Sequence, residues 1–168
     1  MILNFLRLFH AVFGIVGIGT GLVVLTRMVS RSRFERTASL FLKCSLAASA
    51  TGLFFSVHHL SIMQLAAMLG VYLSGIVVLA WRKVHLDHSW APALVLSIVS
   101  VLCLDCLIAI AHLFRFLALF NSSDPAHPGL LFLVTVSAVT LLFAVLGMVA
   151  VKKQHRVLAH SVAHKVAG

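Results

Sequence analysis

Two histidines and two arginines carry the strongest chemical signal in this chain. They form the matched pairs Arg7-x-x-His10 and His112-x-x-Arg115, each inside a long apolar stretch. At a rise of about 1.5 Å per helical residue, His10 lies on the order of 10 Å below one end of its stretch. His112 lies on the order of 12 Å below the corresponding end of its own. Two imidazoles at one depth on two membrane helices are the donor set for axial ligation of a haem iron. An arginine one turn outward from each suits the haem propionates. The expected site is therefore a haem b held by His10 and His112, with Arg7 and Arg115 at its acidic edge.

The face of the first stretch beneath His10 adds to this. At 100° per residue, Gly14, Gly17 and Gly21 fall within roughly 40° of His10 and leave a flat strip against which a porphyrin can lie. The same spacing also lets helices approach closely, and Ala48 and Gly52, or Ala66, Gly70 and Ser74, repeat the pattern elsewhere. Both readings stay open at this point. His58 and His59 point about 100° apart on a helix, so at most one of them can serve as an alternative ligand; an interfacial position without ligation suits both. A bare copper or zinc ion on His10, His112 and one of these two would want a carboxylate or thiolate at the same depth, and none is near except Asp124 in a connection.

Asp105, seven residues from His112 on the same face, is an acid in mid-membrane and marks either a proton or quinol site or a neutral acid hydrogen-bonded to a neighbouring helix. Lys43 sits nearer the opposite end, where its stem can carry the ammonium away from Asp105. Cys103 and Cys106 have redox spacing, but thiol exchange needs an accessible thiolate, so with Cys44 they are expected to be packing residues. His160 and His164, one turn apart in the tail, have metal-binding spacing within what otherwise reads as a solvated basic segment. No phosphate loop, dinucleotide fingerprint or nucleophile elbow is present.

The elements that must position these groups follow from composition. The chain has 168 residues, of which 61% are hydrophobic and 10% charged, with a mean hydropathy of +1.10. Those values fit an all-α integral membrane protein. Five apolar spans are expected at about 3–26, 37–58, 61–81, 91–120 and 129–151, which makes 1–151 one membrane domain and 152–168 a basic, His-containing tail. The segment from Asn121 to Gly129, with two prolines, is the sharpest break; the break at His58–Ser61 is the least marked, compatible with a tight hairpin or a single bent element.

Arg27, Arg31, Arg33 and Arg36 occupy the first connection, Arg82 and Lys83 the third, and Lys152, Lys153, Arg156 and Lys165 the tail; the second and fourth connections have no Lys or Arg. The positive-inside rule then puts the N-terminus outside and the C-terminus in the cytoplasm. The net charge of +9 is read as topology and anionic headgroups. Nucleic acid is excluded as a partner, because no basic stripe or binding motif accompanies the charge.

The stretch Leu6-Arg-Leu-Phe-His10-Ala-Val-Phe-Gly14, continuing to Gly21, resembles the first helix of small bacterial polytopic membrane proteins whose families have no assigned activity. Those families often begin with a His-x-x-x-Gly helix and a basic turn, though Arg33-Phe-Glu-Arg36 stands where many of them have His-Arg. The resemblance implies a bacterial inner (cytoplasmic) membrane and no particular chemistry. The expected function is electron transfer as a cytochrome b-like subunit of a larger membrane complex, possible quinone contact included. The alternative is a non-catalytic subunit or assembly partner without cofactor.

Overall fold

The computed structural model describes residues 2–30, 35–54, 62–84, 88–121 and 130–166, with side chains over 5–28, 30, 36–54, 64–84, 89–117 and 130–153. The described chain is helical throughout: α1 (Ile2–Ser30), α2 (Glu35–Leu53), α3 (Ile62–Val84), a 3-10 turn (His88–Trp90), α4 (Ala91–Asn121) and α5 (Leu130–Val166). α1, α3, α4 and α5 are each long and apolar enough to cross a membrane, as an integral membrane protein requires. α2 is a helix of 19 residues but is not apolar enough to count among them, because Arg36 and Lys43 fall within it.

Local chemistry sets the ends. Pro92 is tolerated at the second position of α4, where its missing N–H has no partner to lose. α4 stops at Asn121 ahead of the proline-bearing segment, and α5 begins directly after Pro128-Gly129. α2 closes at Leu53 with Phe54 N–H donating to the Thr51 carbonyl at 3.2 Å. α2 and α3 are thus separate helices that run antiparallel, since Ser49 faces Gly70 and Ala67 faces Gly52. The tail does not form an element of its own: α5 runs unbroken through it to Val166.

α1 packs along α2 and also meets α4, α3 packs on both α2 and α4, and α5 lies on α4 with only a brief touch on α1. The core is formed by Val24, Phe41, Val77, Val95, Ile98, Val101 and Leu102, all at most 1% exposed. It lies toward the end of the bundle that carries Arg27, Arg36, Arg82 and Lys83. At the other end the packing opens: no residue of α1 between Phe5 and Val16, and none of α4 between Cys106 and Leu117, is buried. The histidines sit in that open half.

Close approach of α1 to its neighbours depends on Gly21. A Cβ there would stand 2.6 Å from Leu102 Cδ1 and 2.9 Å from Phe41 Cε2. Gly21→Val is expected to destabilise the bundle by about 1–3 kcal/mol through overpacking, whereas Gly19→Val, with open space around it, is not. Unfolding midpoints of the two variants in mixed micelles, compared with the parent, check this difference.

Candidate functional site

His10 and His112 come together. Antiparallel α1 and α4 place the two ring centres 6.0 Å apart with planes inclined by 64°. His10 is half-buried and His112 exposed at the open end of the bundle. At that separation the two imidazoles are near enough for both to approach one metal ion, for which metal–imidazole bonds are about 2.0–2.1 Å.

The orientation of His10 comes from α2. Its Nδ1 lies 2.9 Å from the Ala48 carbonyl oxygen and 3.2 Å from Thr51 Oγ1. A carbonyl only accepts, so Nδ1 carries the hydrogen and Nε2 the lone pair in the neutral ring. Thr51 supports the same arrangement: its hydroxyl donates back to the Ala47 and Ala48 carbonyls at 2.8 and 2.9 Å, which leaves its oxygen to accept from Nδ1–H. A backbone carbonyl on Nδ1 is the usual outer partner of a metal-ligating histidine, since it fixes the tautomer and raises the basicity of Nε2. Gly52 lies beside the ring: a Cβ there would be in ordinary contact with His10 Cε1 at 3.5 Å and tighter, at 3.2 Å, against Ala67 Cβ.

Arg7 and Arg115 are exposed, one helical turn farther toward the same end than their histidines. The glycine strip divides. Gly14 has nothing within 4 Å of a built Cβ, so the wall below His10 is open there. The face of Gly17 is occupied: Ser45 N, Cys44 Cβ and Asp105 Oδ2 stand 3.6, 3.7 and 3.9 Å from the same point. The flat surface available to a planar ligand therefore ends above Gly17, where α2 and α4 close in on α1.

Asp105 lies at that closure. It is 8% exposed, and Ser45 Oγ donates to its Oδ2 at 2.7 Å. Along the axis of α4 it is about 10 Å from His112, too far for direct proton exchange. The hydroxyl partner comes from α2, and Gly17 on α1 gives the carboxyl its space. Cys44 is buried and Cys103 and Cys106 are half-buried, all three as free thiols. Among the described residues, no group of three His, Cys, Asp or Glu side chains could hold a metal ion. His58 and His59 lie outside the described residues, as do Asp124 and the side chains of His160 and His164.

Sequence reasoning did not connect Ala48, Thr51 and Gly52 to His10, nor Ser45 to Asp105. Thr51 and Ser45 were visible as polar residues of α2, but the Ala48 acceptor is a backbone carbonyl, which residue type does not reveal. No family model, curated protein or solved structure matches this chain.

Proposed function

We propose that the open end of the bundle is a bis-histidine haem site and that the protein is an electron-transfer subunit of a larger membrane complex. The 6.0 Å separation of the His10 and His112 rings carries this reading. The Nδ1–H bond of His10 to the Ala48 carbonyl, the open wall at Gly14 and the exposed Arg7 and Arg115 support it. In this reading His10 and His112 hold the iron of a haem b. Arg7 and Arg115 neutralise its propionates, and Thr51 keeps His10 in the ligating tautomer. The group supplies one-electron chemistry when bound. The chain orients the imidazoles and screens them from the bilayer on the α2 side.

The accompanying topology has five spans, with α2 crossing alongside α1, the histidine end outside and the basic end in the cytoplasm. The membrane is a bacterial inner membrane. Asp105 and Ser45 serve as a proton-holding pair below the haem.

A second reading is favoured by the packed glycines. Gly17 and Gly21 are spent on helix approach, as in a subunit whose small-residue faces exist for packing alone. In that case the protein is a non-catalytic assembly partner. An absorption spectrum of the detergent-purified protein, oxidised and then dithionite-reduced, separates the two. Sharp reduced α and Soret bands are expected for the haem subunit. A colourless protein with a blank metal analysis would sink that reading in favour of the second.

A further inference from the structure

The basic end of the bundle carries a second feature that the histidine site does not use. Between α2 and α3 runs a groove of roughly 220 Å3, lined by Ser39, Leu42, Val78, Trp81 and Arg82. Its make-up is graded along the helix axis. Leu42 and Val78 form an apolar floor one turn in from the end, while Ser39, Trp81 and Arg82 bring a hydroxyl, an indole and a guanidinium to its mouth.

Lys43 is the neighbouring cation. It lies one turn beyond Ser39 on the same face of α2 and is exposed. A lysine about 12 Å into α2 would be costly facing hydrocarbon, and a stem laid back along the helix would carry the ammonium toward the level of Ser39. Neither Lys43 nor Arg82 has a hydrogen-bond or ion-pair partner among the described residues. Arg36 and Lys83 add positive charge at the same end, both exposed.

We infer that this groove binds one anionic phospholipid, with an acyl chain on Leu42 and Val78 and its phosphate between Arg82 and Lys43. Two cations of different reach above an apolar floor match a phosphate ester whose own tail is apolar. The guanidinium offers a planar fork of donors to two phosphate oxygens, and the ammonium offers a mobile point charge to a third. The Ser39 hydroxyl and the indole of Trp81 lie at the depth of the glycerol esters, where an amphipathic ring is at home. A free phosphate ion would use the same two cations but would leave the apolar floor unused. Basic recesses between helices at the charged face of a membrane protein are the usual form of such sites.

The test uses the full chain with Trp90→Phe, so that Trp81 is the remaining tryptophan, in nanodiscs of phosphatidylcholine. One lipid in ten is replaced by phospholipid with brominated acyl chains, carrying either a phosphatidylglycerol or a phosphatidylcholine headgroup. The expected result is quenching of Trp81 several-fold stronger by the brominated phosphatidylglycerol, with the preference abolished by Arg82→Ala combined with Lys43→Ala. The pair Arg82→Gln and Lys43→Gln, which keeps side-chain bulk, gives the same loss if the alanine variant fails to fold. Equal quenching by the two headgroups in the parent would overturn the proposal, as would a preference that survives loss of both cations. Binding of millimolar inorganic phosphate that is lost in the double variant, together with equal quenching by the two headgroups in the parent, would assign the cations to a free ion and overturn the lipid. None of these outcomes depends on whether the histidine end holds haem.

Discussion

For the proposed haem subunit, alanine at His10 or at His112 is expected to remove the reduced α band from the purified protein, each single substitution doing so almost completely. An axial pair does not divide its work evenly between partners. His10 and His112 would each hold a bound haem, so loss of either imidazole would leave the group with one of its two tethers in a half-open site. Thr51→Val is expected to be milder. It leaves the Ala48 carbonyl on Nδ1 but removes the second acceptor that steadies the ring, and loss of such an outer partner lowers affinity about 10–100-fold. Titration of the apoprotein with haem, followed at the Soret band, gives the affinities. Full α-band intensity in His112→Ala would show that the second ligand, if there is one, is some other group.

Ser45→Ala is the second change with a large expected effect, and it acts on stability. The carboxyl of Asp105 is 8% exposed and receives the Ser45 hydroxyl at 2.7 Å, so removal of the hydroxyl leaves a buried acceptor with one partner fewer. The cost is about 1–2 kcal/mol, within the range found for interhelical polar contacts and buried unsatisfied groups. Asp105→Leu in the Ser45→Ala background should return much of it, because the stranded group is then gone and the site becomes apolar throughout. The four proteins form a double-mutant cycle whose coupling term, measured by unfolding in mixed micelles, isolates the α2–α4 bond. A coupling near zero would mean that the carboxyl finds another partner without Ser45.

Four of the five expected spans were legible because bilayer thickness acts locally on the chain, while the expected break at Pro125–Pro128 lies outside the described residues. The meeting of His10 with His112 was legible for a related reason: depth along an antiparallel helix is a simple count of residues. Gly17 was not legible, since one spacing of small residues serves a planar ligand and a neighbouring helix equally well. Only the position of Ser45 and Cys44 decides between them. The apolar part of α5 ends at Lys153, close to the expected end of the fifth span at 151, but the helix itself runs on to Val166. The chain changes at Lys152 from apolar to basic, but Lys, Gln, Arg, Leu and Ala are all good helix formers, so polarity switches there without any backbone signal to stop. α2 was expected as an apolar span; its lysine and arginine set it apart, and polar contacts to α1 and α4 join Phe41 and Ala38 in holding it in the bundle.

The thin attachment of α5 bears on the order in which the protein is made. α1 to α4 supply nearly all the core, and α5 adds little more than Phe143, Gly147 and Ala150 against α4. A chain entering the membrane from its N-terminal end can therefore complete its central packing while the last helix is still being synthesised. His10 and His112, the buried acid and the basic groove all belong to the part that finishes first.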